Sequence, residues 1–154
     1  MKSNFSKAFL LMFSLCLLSM QCDEDDAPID NSLEIAEIVA TAQSDTWRIT
    51  NYVDSGENET TDFAGYDFTF EASGTLTATN SAITKTGTWS VTDDSSDDDD
   101  DIDFNIFFPV PDTDDFEDLN DDWDIVSYSS NQIVLRDISG GDGSIDELTF
   151  TKNQ

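Results

Sequence analysis

The chain has 154 residues, 38% hydrophobic and 11% aromatic, with 34 acidic residues, 6 basic residues and no histidine, giving a formal charge of −28 at pH 7. That balance leaves no basic patch to neutralise phosphates, which excludes non-specific nucleic-acid binding and direct docking on anionic lipid. Low hydropathy with high charge is also a composition of disorder, but Trp47, Trp89, Trp123, Tyr52, Tyr66, Tyr128 and a series of phenylalanines fall in spaced, alternating segments, as in a packed domain.

The chain opens with Lys2 and Lys7 as a positive region, an apolar run over residues 8–18, and Ser19 before a junction at Cys22. The run is shorter than the about 20 apolar residues of a spanning helix, and carboxylates follow it at once, so residues 1–21 are predicted to be a cleaved signal rather than a membrane span. Leu18-Ser19-Met20-Gln21-Cys22 resembles a bacterial lipoprotein cleavage and acylation site, with the leucine one place early and Gln21 where a small residue is usual. The resemblance implies acyl chains on Cys22 and a protein anchored to a bilayer without crossing it. Cys16 leaves with the signal, so no disulfide framework is available. An ordinary secreted protein with an incidental Cys22 is the alternative. Removing Lys2 and Lys7 with the leader takes the net charge from −28 to −30.

Residues 22–31 form an acidic tether. Within it Asp23-Glu24-Asp25-Asp26 resembles the export signal that follows the lipidated cysteine in one group of Gram-negative surface lipoproteins. That resemblance implies an outer-membrane protein facing the cell exterior. The plainer reading is a solvated spacer that holds the domain off the headgroups.

A short helix is predicted over 32–43, capped by Asn31 or Ser32, with Leu33, Ile35, Ile38 and Val39 on one side and Glu34 and Glu37 in its first turns. Strand patterns then fill residues 44–154, at 47–53, 66–71, 75–80, 85–92, 103–108, 123–128, 132–137 and 147–151. Alternation turns Phe68 and Phe70 to one face against Asp67, Thr69 and Glu71, and Phe104, Ile106 and Phe108 against Asp103 and Asn105. Residues 71–74, with Gly74 left-handed, and 129–131 suit hairpins, and 139–144 close the last pair. The fold class is therefore all-β: an eight-stranded antiparallel up-and-down barrel, closed on itself to remove its edges, with a short N-terminal helix.

Asp45-Thr46-Trp47-Arg48-Ile49, Phe68-Thr69-Phe70-Glu71-Ala72-Ser73-Gly74-Thr75-Leu76, Gly87-Thr88-Trp89-Ser90-Val91 and Leu148-Thr149-Phe150 together resemble the lipocalin-like domains of small bacterial lipoproteins. The resemblance implies a barrel whose relatives often hold a small apolar molecule. Against that, an eight-stranded barrel has room only for its own side chains or one small ligand, and Trp47, Phe68, Phe70, Trp89, Phe104 and Phe150 are expected to fill it as core.

Asp97, Asp98, Asp99, Asp100 and Asp101, in an acidic loop that starts at Asp93, could recruit a hard cation such as Ca²⁺, although the spacing is not that of an EF-hand. Solvated loops are the simpler account of this run, of residues 112–118 and of Gly140-Gly141-Asp142-Gly143. No histidine, no nucleophilic cysteine after processing, no Gly-x-Ser-x-Gly and no phosphate-cradling loop are present, so no catalysis is expected. The sequence points to a membrane-anchored binding or interaction module of the cell envelope, with a small apolar ligand or an envelope protein as its partner. The alternatives are an accessory subunit docking to a basic partner and a Ca²⁺-binding surface module.

Overall fold

The computed structural model describes residues 30–93, 102–138 and 143–154. Helix α1 (Ser32–Ala42) buries Ile38 and Ala42 and half-buries Ile35 and Val39, the i, i+3, i+4, i+7 stripe of an amphipathic helix. Leu33, expected on that stripe, is instead 79% exposed. At about 100° per residue it stands roughly 140° round the helix from Ile38. The capping expectation is also corrected: Asn31 occupies the N-cap without a side-chain bond, and the Ser32 N–H donates to Asp30 Oδ1 at 3.1 Å.

The strands are β1 (Thr46–Asp54), β2 (Glu57–Asn58), β3 (Asp67–Phe70), β4 (Thr75–Thr79), β5 (Thr84–Asp93), β6 (Ile102–Phe107), β7 (Asp121–Ser129), β8 (Gln132–Ile138) and β9 (Ile145–Lys152). From β3 to β9 each pairs antiparallel with the next, and β1 pairs with both β3 and β9. The closing seam runs from Trp47 opposite Lys152 to Val53 opposite Glu147, so eight strands form a closed up-and-down barrel. Strand β2 is an addition to the predicted set, a two-residue ribbon folded back on β1 through Ser55 and Gly56, both at positive φ. It is too short to carry a hydrophobic period.

Interior positions alternate along each strand except at two bulges. On β1 the register slips between Ile49 and Asn51, so inward Trp47 and Ile49 are followed by Tyr52; on β7 it slips between Ile125 and Ser127. One extra residue per bulge resets the phase, so that on β7 inward Ile125 is followed by Tyr128, opposite buried Ile133. Gly74, at φ +81°, closes the β3–β4 turn as expected, and its N–H donates to Glu71 O at 3.0 Å.

Candidate functional site

The barrel is filled by its own rings. Trp47, Phe68, Phe70, Phe104 and Phe150 are at most 2% exposed and Trp89 6%, joined by Leu76, Ile106, Phe108, Trp123, Ile133, Leu135 and Leu148. Phe70 meets Trp89, Phe104 and Phe150 edge-on, with centroids 5.2 to 5.4 Å apart, the favoured contact of aromatic quadrupoles.

Residues outside the strands seal the interior. Between β6 and β7 the chain carries Phe116 and Leu119 inward, and the 3-10 turn Thr60–Phe63 adds Phe63. Phe116 touches Phe63, Tyr66, Phe68 and Phe108 with centroids 4.9 to 6.0 Å apart. Asn120 clamps the two ends of this loop, accepting from the Phe108 N–H and donating to the Phe108 carbonyl. Four buried aromatic side chains tie down neighbouring segments with their polar groups. Tyr52 Oη donates to Asp118 O at 2.9 Å and Trp123 Nε1 to Leu119 O at 3.1 Å. Trp89 Nε1 donates to Glu71 O at 3.0 Å, and Trp47 Nε1 to Ala42 O at 2.8 Å, which fixes the end of α1 on the barrel. Buried donors need partners, and here the partners are the carbonyls of the elements that close the barrel.

The outer surface of the described residues is anionic. All four basic side chains among the described residues are paired: Arg48 with Asp67, Lys85 with Asp114, Arg136 with Asp124 and Lys152 with Asp45. Exposed pairs add little stability, but they consume every positive charge the domain has. Hydrogen bonds from Arg48 and Lys85 hold Asp67 and Asp114 below the usual carboxylate range. Burial, reinforced by neighbouring Asp122 and Asp137, pushes the Asp121 carboxyl up to about 6. Burial and nearby carboxylates likewise raise Glu59, Asp118 and Asp137.

Two of the grooves on the described surface bear on binding. One, of about 390 Å³, lies between α1 and strands β6 to β8 and is lined by Glu34, Ile38, Ile102, Asp124, Val126 and Arg136 among others. The other, of about 500 Å³, crosses the outer faces of β5, β6 and the start of β7; Ser90, Asn105, Phe107, Asn120, Asp121 and Asp122 are among its lining residues.

The site residues predicted from sequence, Cys22, Asp23 to Asp26 and Asp97 to Asp101, lie outside the described residues. Among the described residues no group of three or more acidic side chains is placed to hold a metal ion, and no helix is long and apolar enough to cross a membrane. Phe107, exposed in the second groove, was not singled out by sequence. Its signal was present, because an inward Phe108 turns Phe107 outward.

No family model matches the chain, and no curated protein matches it. Among solved structures the chain is similar to a DUF4847 family protein from Bacteroides vulgatus, with 20% identity and a TM-score of 0.47 over 75% of this chain and 97% of that one.

The raised carboxylates fix the sign of the pH dependence. A carboxyl whose folded pKa lies above its unfolded value binds protons more readily when folded, so stability falls as pH rises through the window between them. For Asp121 that window runs from 3.8 to about 6. The lowered Asp67 and Asp114 act oppositely, and their contribution is lost only as pH falls below 3.8. The melting temperature is expected to be higher at pH 5 than at pH 7.5, with the difference reduced in Asp121→Asn. Thermal melts that are flat or falling from pH 7.5 to pH 5 would contradict the assignment.

Proposed function

We propose that this chain is a lipid-anchored, lipocalin-like binding module of the cell envelope, acylated at Cys22 and displayed on the outer face of the outer membrane through Asp23-Glu24-Asp25-Asp26. It binds through its outer surface, and no catalytic step is assigned to it. The carrying observation is that rings occupy the interior while all four cations of the described domain are neutralised, which leaves a carboxylate-rich exterior. Strong net charge of one sign keeps neighbouring copies apart and draws cationic partners. Two acyl chains or more on one cysteine exceed what stable anchoring needs.

An apolar ligand inside the barrel is the second reading, supported by the up-and-down closure; it requires Phe116 and its loop to move aside. Ca²⁺ bound by residues 97–101 is a third, and rests on carboxylate density alone.

The anchor is tested by Cys22→Ser. The unaltered protein is expected in the membrane fraction and the variant in the soluble fraction, read by quantitative immunoblot after carbonate washing. Equal partitioning of the two would end the anchor proposal.

A further inference from the structure

Phe107 is 54% exposed; the other aromatic rings among the described residues are buried, except half-buried Tyr128. Phe107 stands on the outer face of β6, opposite Thr88, beside the row Ser90, Asn105 and Asp122 formed by registered pairs across β5, β6 and β7. Asp121 and Asp122 form the far wall of the groove, no lysine or arginine lines it, and neither carboxylate is in an ion pair among the described residues.

The molecule uses this combination of groups once already, filled by its own cation. Lys85 is ion-paired with Asp114 while its Nζ lies 5.0 Å from the centre of the Phe116 ring. A ring face and a carboxylate together hold an ammonium or guanidinium better than either alone, because the ring quadrupole and the anion attract the same charge. At Phe107 and Asp122 the ring and the carboxylate are present and the cation is missing.

We propose that the groove over β5, β6 and β7 docks a basic segment of a partner protein, seating an arginine or lysine side chain between the Phe107 ring and the Asp122 carboxylate. This rests on the reading of the domain as an outer-surface binding module and names the partner's chemistry. Charge complementarity selects the occupant. Asp121 and Asp122 both line the groove, and two carboxylates attract a cation whereas they do not attract a neutral saccharide. Ser90 and Asn105 supply hydrogen-bonding groups for the peptide backbone alongside, and Gly87 lets β5 approach the Phe107 carbonyl closely enough to fix the ring's backbone.

The test uses the full-length lipidated protein in detergent at physiological salt, with a fluorescein-labelled hexa-arginine peptide read by anisotropy. Phe107→Ala and Asp122→Asn are each expected to weaken binding about fivefold or more, and Phe107→Trp to retain it. Glu57→Gln, which removes an equal charge outside the groove, should stay within about twofold of the unaltered protein. Equal affinity in all of these proteins would mean that the peptide follows bulk charge, and the proposal fails. It also fails if a neutral tetrasaccharide binds in a Phe107-dependent manner while hexa-arginine does not. Repeating the titration with Cys22→Ser separates the two proposals: a soluble variant that keeps Phe107-dependent binding supports both, and a variant still in the membrane that keeps it overturns only the anchor.

Discussion

Phe116→Ala is expected to lower the stability of the domain by about 3–5 kcal/mol, the range for removing a buried phenylalanine from a packed core. The side chain is 2% exposed and is surrounded by Phe63, Tyr66, Phe68 and Phe108, with the Lys85 ammonium over its face. Collapse into the space is opposed, because the neighbouring rings belong to β3, to the segment after β6 and to the Thr60–Phe63 turn, each held by its own pairing. A domain of this size has a total stability of roughly 5–15 kcal/mol, so a loss of that size removes a large share of it. Urea titration in a Cys22→Ser background gives the difference directly. A loss under about 1 kcal/mol would show that the loop does not plug the barrel. The opened space should also bind an apolar dye that the unaltered protein leaves in solution, since a cavity lined by apolar rings stays dry and accepts apolar guests.

Gly87→Ala is expected to cost about 3 kcal/mol, at the upper end for overpacking. A methyl group there would lie 2.2 Å from the Phe107 carbonyl oxygen and 2.9 Å from Phe108 Cδ1. Most overpacked side chains find relief by changing rotamer. Here the first obstacle is backbone, inside the registered pairing of Thr88 with Phe107, so relief requires opening the β5–β6 seam. The reason for the glycine is visible in the packing. Position 87 faces inward opposite Leu76, and the Phe108 ring takes the volume a side chain would have used. A shift in denaturation midpoint with unchanged slope is the expected signature; wild-type stability in the variant would show that β6 does not approach so closely.

The eight barrel strands were legible because each buries one face, and a half-buried strand writes its period of 2 into the sequence. Phe68 and Phe70, or Phe104, Ile106 and Phe108, cannot alternate with acids and amides for another purpose. What escaped was set by contacts without a period. Phe116 and Leu119 sit among Asp114, Asp115, Glu117 and Asp118, so their surroundings read as a solvated acidic loop although both side chains are buried. The sealing of the barrel arises from tertiary packing between loop and rings, and no local pattern records it. The bulge at Val126 was hidden because one extra residue inverts the alternation for the rest of β7. For Leu33 the sequence misled: it is apolar and near the stripe, yet on the wrong side by helical angle.

The candidate site was legible only in part. Charge and the absence of histidine directed attention away from catalysis and from phosphate, and the paired cations agree with a surface whose remaining charge is negative. That Phe107, Asp121 and Asp122 share one groove depends on β6 lying beside β7 in one register, which Asn105 opposite Asp122 sets. Single-strand periodicity does not report cross-strand register.

On the proposed reading the barrel keeps its interior for its own side chains and meets partners from outside. Native mass spectrometry of protein extracted from membranes tests it most directly. The expected species is a polypeptide beginning at Cys22 with its acyl chains and no other retained small molecule, whereas a stoichiometric apolar compound released only on unfolding would overturn the ring-filled interior.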